Sequence, residues 1–162
     1  DYVLEGLREY KGKKLIAANR SGIELEDLPQ EGEEDSLDEK ETEGLISWLN
    51  SSLEGRVAQV EAGKRLVNHP MVALLPEDAP NAQMRAMMEA MGQEAPEAKA
   101  KLEVNPRHPL IRQLASIREE RGELASKVAD QLTNHALLAA GMEVNTADMA
   151  EEMAALSGDL LE

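Results

Sequence analysis

The spacing of apolar residues changes along this chain, and the change limits what it can fold into. Leu45, Trp48, Leu49 and Leu53 stand at i, i+3, i+4 and i+8, one face of a helix spanning about 37–54. From Val57 the period drops to two. Ala58, Val60, Ala62 and Leu66 alternate with Gln59, Glu61 and Arg65, the pattern of a half-buried strand. "MVALL" after Pro70 reads as a second strand. Ala98, Ala100, Leu102 and Val104, alternating with Lys99, Lys101 and Glu103, read as a third. A helix lies between the second and third strands. In its sequence, "NAQMRAMMEAM", Met84, Met87, Met88 and Met91 fall at i, i+3, i+4 and i+7 and share one face.

The remainder is helical. Pro109 suits a first helical turn, and Leu110, Leu114 and Ile117 then line one side. Glu123 to Ala140 form the next helix, with Gly141 as its C-terminal cap. Asn145 or Thr146 caps a last helix, on which Met149, Met153, Leu156 and Leu160 repeat with a 4-3-4 spacing. That is the narrow stripe of a helix–helix seam. With Val128 and Leu132 opposite, it predicts a homodimer through the last two helices.

Few large groups are available to fill a core, because the chain has no Phe, one Trp and two Tyr. Methionine is the adaptable substitute, and its concentration on one short helix has two explanations. The four side chains fill an irregular core, or they form a soft surface that can repack around unlike partners. The helix is bounded by Pro80 and Gly92, with Asn81 as its cap. Its other face offers only Arg85 and Glu89 among alanines, so little is expected to hold it by a second contact.

The chain has 162 residues and a net charge of −15, which argues against a nucleic-acid partner. Eleven acidic residues between 24 and 43 face a single lysine, Lys40, so this stretch is read as a solvated linker running into the first long helix. The residues before it suggest a short helix (Val3, Leu4, Leu7), a turn at Gly12 and a strand from Leu15 to Ala18. They are too few for a domain and read as the tail of something upstream. A start at Asp1 fits a processed or excised chain. The longest uncharged apolar run, Pro70 to Pro76, is too short for a membrane span. No secretory segment opens the chain and it has no Cys, both compatible with the cytoplasm.

Motifs of chemistry are absent. There is no phosphate-binding loop, dinucleotide fingerprint or nucleophile elbow. His69 and His108 each precede a proline, where turn or capping roles are expected, and His135 is expected to pack mid-helix. No metal site and no catalytic residue is assigned.

The segments "REYKGKKL", "LEGRV", "KRLVNHP", "LEVNPRHPLI" and "HALLAAG" occur in a fixed order. That order resembles the C-terminal third of the ninety-kilodalton heat-shock chaperones in their bacterial form. The resemblance implies that residues 1–25 are the tail of a middle domain, 26–36 an acidic spacer and 37–162 a dimerisation domain. It implies an α/β unit with a small mixed three-stranded sheet, and C-terminal helices that join those of a second copy in a four-helix bundle. Full-length relatives are ATP-dependent chaperones whose ATP and magnesium site lies in another domain, so no cofactor is expected in this chain. Its partners would be a second copy of itself and unfolded client proteins. An amphipathic helix implicated in client contact in such relatives matches residues 81–91, which makes Met84, Met87, Met88 and Met91 the candidate contacts.

Overall fold

A computed structural model describes residues 9–15, 36–63, 68–76, 79–80, 82–93 and 98–161. The expected first helix, the residues 16–18 of the first expected strand, most of the acidic stretch, Leu66 and Asn81 lie outside them. Residues 9–14 form a tight hairpin, β1 (Glu9–Tyr10) paired with β2 (Lys13–Lys14). Its turn carries two positive φ angles, at Lys11 (49°) and Gly12 (76°), the conformation a two-residue hairpin needs.

The main unit runs α1 (Glu39–Ser52), β3 (Gln59–Ala62), β4 (Met71–Leu74), α2 (Ala82–Ala90), β5 (Lys101–Val104), α3 (Pro109–Ile117), α4 (Gly122–Ala139) and α5 (Thr146–Leu161). It is a mixed α/β arrangement around a small three-stranded sheet. Local chemistry sets the helix starts. Asp38 Oδ1 accepts from the Glu41 N–H at 2.7 Å while Glu41 Oε2 accepts from the Asp38 N–H at 3.1 Å, a reciprocal capping box. His108 Nδ1 accepts from the Leu110 N–H at 3.2 Å ahead of Pro109, so this histidine is a cap. Asn145 Oδ1 accepts from the Ala147 N–H at 3.1 Å and settles which of two residues caps α5.

The strand order is β3-β5-β4, with β5 parallel to β3 and antiparallel to β4. Leu102 lies between Val60 and Ala73, and Val104 between Ala62 and Met71. Against this face pack Leu45, Leu49 and Leu53 of α1, Ile111 and Leu114 of α3, and Ala125, Ala129 and Ala136 of α4. Trp48 sits half-buried at the margin of that core.

Three expectations about the pattern change. On α3 the buried pair is Ile111 and Leu114, with Leu110 half-buried, so the helix is turned by about one residue from the expected face. Ala62 is exposed because it ends an edge strand, and Glu103 is buried although it alternates with the apolar set. The central position of β5 explains the third: Glu61 and Val72 flank Glu103 from both neighbouring strands. Lys101 Nζ pairs with Glu61 Oε2 at 2.6 Å, which offsets charge on that face.

Among the described residues no further strand lies beside the outer edge of β3. Asn50 takes the place of one. Its Oδ1 accepts from the Val60 N–H at 2.9 Å, and its Nδ2 donates to the Val60 carbonyl at 3.0 Å and to the Ile46 carbonyl at 2.9 Å. A primary amide can donate and accept side by side, as a backbone does. Asn50→Ala should leave the Val60 N–H and carbonyl, both beside a fully buried side chain, without partners. The expected loss is about 2–4 kcal/mol in urea denaturation. A loss below about 1 kcal/mol would show that water replaces the amide there.

Candidate functional site

Helix α2 follows β4 and ends at Gly92, whose φ of 71° lets the Gln93 N–H reach back to the Met88 carbonyl at 2.9 Å. The helix is therefore a discrete nine-residue unit. Its methionine face is directed outward: Met84 is 57%, Met87 61% and Met91 56% exposed. Met88, the fourth candidate, is half-buried. The difference follows from position around the helix, since Met88 is the stripe residue nearest Arg85, and Arg85 is where the helix is fastened. Arg85 Nη1 donates to the Pro80 carbonyl at 3.1 Å and Nη2 to the Gly141 carbonyl at 2.6 Å.

That tether corrects the expectation that the other face of α2 offers little for a second contact. Gly141 ends α4: its N–H reaches the Leu138 carbonyl at 3.0 Å and the Met142 N–H reaches the Leu137 carbonyl at 3.0 Å. Carbonyls at a helix C-terminus carry partial negative charge, and a guanidinium suits them. The signal in the sequence was Arg85 itself, a lone cation among alanines and methionines.

The candidate dimer residues are distributed over both sides of the α4–α5 contact. Val128 and Leu132 are half-buried against the core of their own chain. Met149 is half-buried, and Leu156 is 8% exposed. Part of the 4-3-4 stripe is thus used within one chain. Met153 remains 40% exposed. Of the Leu160 side chain nothing is described. Leu138, which the pattern of α4 did not single out, is 48% exposed. It lies two turns beyond Gln131, on the face that meets α5.

Polar side chains hold this junction. Gln131 Nε2 donates to the Met149 carbonyl at 3.3 Å and to Glu152 Oε2 at 3.0 Å, while Asn134 Nδ2 donates to the same carboxylate at 3.4 Å. Arg56 reaches across from the α1–β3 turn, donating to Asn134 Oδ1 at 2.5 Å and pairing with Asp130. Gln131 Oε1 is buried and has no hydrogen-bond partner among the described residues. The two helices of this junction each carry one exposed large apolar side chain, Leu138 on α4 and Met153 on α5.

No group of His, Asp or Glu able to hold a metal ion occurs among the described residues. His69 is exposed, and so is His135, whose expected packing role is not found. No described helix is long and apolar enough to cross a membrane.

The described surface thus carries one short helix with an outward apolar face and, on the last two helices, the exposed apolar side chains Leu138 and Met153. The Hsp90 protein family profile matches residues 1–158, and the chain belongs to the Hsp90 family. It is 34% identical over 155 residues to the chaperone protein HtpG of Desulfitobacterium hafniense, covering 94% of this chain and 25% of that one. It is 35% identical over 164 residues to the HtpG of Bordetella parapertussis, covering 99% and 25%. With the rat mitochondrial heat shock protein 75 kDa it shares 38% identity over 146 residues, covering 84% and 20%. The chain thus spans about a quarter of the length of the relatives it matches.

Proposed function

We propose that this chain is the dimerisation and client-contact module of an Hsp90-type molecular chaperone, from the C-terminal end of the longer protein. Residues 37–162 form the module, 26–36 a spacer and 1–25 the end of a preceding domain. The observation that carries the reading is the outward methionine face of α2. Three thioethers at 56–61% exposure, on a helix fastened by Arg85 rather than by its apolar side, give a surface able to adapt to unlike sequences. A single stripe of this size binds weakly, because association costs of about 4–15 kcal/mol offset most of the transfer energy. Two stripes held in one dimer act together, which is the use of dimerisation here. The alternative, a passive oligomerisation scaffold with a buried methionine helix, is disfavoured by the same exposure.

The test is a triple variant, Met84→Ser/Met87→Ser/Met91→Ser, assayed for suppression of aggregation of a heat-labile client. Suppression should fall by at least about half while the melting temperature moves by less than about 3 °C, since little buried area is lost. Undiminished suppression at unchanged melting would reject the assignment of client contact to α2.

A further inference from the structure

The chain contains eight methionines and no cysteine, so thioether sulfur is its only readily oxidised side-chain sulfur. The eight are placed unequally. Met84, Met87 and Met91 are 56–61% exposed within eight residues of one another. Met71 is 5% exposed, in the core, with its sulfur 3.9 Å from the Thr133 hydroxyl. We propose that Met84, Met87 and Met91 form a reversible sulfoxidation site, at which a hydroperoxide converts the outward face of α2 from apolar to polar without unfolding the domain. Its effect on clients rests on the function proposed above; the chemistry does not.

In the forward step a sulfur lone pair attacks one oxygen of hydrogen peroxide and the O–O bond breaks. The sulfur gains that oxygen as a sulfoxide, and the other oxygen leaves as water. The sulfur loses two electrons and the peroxide gains them. In the reverse step a thiol-dependent methionine sulfoxide reductase removes the oxygen as water, and two of its thiols become a disulfide. This chain has no Cys, so the thiols belong to the reductase.

Two features make the site a surface switch rather than a lesion. Each new S=O is a strong acceptor, and at these three positions water can solvate it at once, whereas at Met71 it would have to displace packed side chains. Three hydrogen bonds that hold and end α2 contain no sulfur. They are the two hydrogen bonds of Arg85 and the cap at Gly92. The apolar stripe can therefore be lost while the helix stays in place.

The 162-residue chain should be treated with limiting hydrogen peroxide and followed by peptide mass spectrometry, thermal melting and binding of an apolar-surface fluorescent dye. Sulfoxide should appear at Met84, Met87 and Met91 about tenfold faster than at Met71. Dye binding should fall with it, recover on adding the reductases for both sulfoxide epimers, and leave the melting transition in place. The variant Met84→Leu/Met87→Leu/Met91→Leu keeps apolar side chains without sulfur, and its dye binding should not respond to the same peroxide dose. Equal rates at Met71, a melting transition lost with the first sulfoxides, or an equal peroxide response in the leucine variant would each overturn the proposal. If oxidation and dye binding behave as stated but neither the untreated nor the oxidised chain suppresses client aggregation, the client-contact reading fails and the sulfoxidation site stands.

Discussion

Leu102→Ala is expected to lower the melting temperature by about 10–20 °C. Leu102 is fully buried at the middle of β5, and β5 is the central strand. On its two sides lie Val60 and Ala73, neither long enough to reach into the space a missing isobutyl group leaves. The backbone cannot close the gap, because β5 is hydrogen-bonded along both edges. Leu45 and Leu49 above it are themselves fully buried and hold α1 in place. The cost is then transfer energy plus a persistent cavity, about 3–5 kcal/mol, which corresponds to that shift for a domain of this size. Differential scanning calorimetry checks it. A fall below about 5 °C would mean that the helices settle onto the sheet and that the core is less tightly interlocked than its burial indicates.

The second large effect concerns the proposed dimer. The double variant Leu138→Glu/Met153→Glu should be monomeric at concentrations where the parent chain is a dimer. Leu138 on α4 and Met153 on α5 are 40–48% exposed, so changing them disturbs the single chain little. A two-fold axis doubles each substitution. Four apolar groups lost at about 1 kcal/mol each weaken association about a thousandfold. The added negative charges, on a chain already at −15, repel each other further. Sedimentation velocity should show the monomer, with the helical circular dichroism retained. Leu156→Glu is the poorer test, since Leu156 is buried within its own chain and a charge there would disrupt the α4–α5 contact itself. If the double variant stays dimeric, the interface lies on another face.

The same contrast between local and distant partners runs through the whole molecule. Caps and helix ends are decided by residues within four positions of one another. Pro109 after His108, Asn145 before Thr146, and the glycines at 92 and 141 are all legible in the sequence for that reason. From residue 37 onward, though not for the strands of the 9–14 hairpin, the switch between helical and strand periods likewise predicts five helices and three strands in the order found, because a period records which side of one element is apolar. It does not record what covers that side. The order β3-β5-β4 places Glu103 under two neighbours. The pairing of Asn50 with Val60 makes a side chain act as a strand. Arg85 finds the Gly141 carbonyl 56 residues away. Four methionines with one helical spacing were equivalent in the sequence, and the stripe alone left core and surface both open. In the folded chain three of them are outward and one is half-covered, on a helix that a guanidinium on the adjoining side ties to the end of α4. Distant groups become neighbours only when the chain closes on itself, so spacing along the sequence determined the elements and their apolar faces, and tertiary packing alone decided which of those faces meet water.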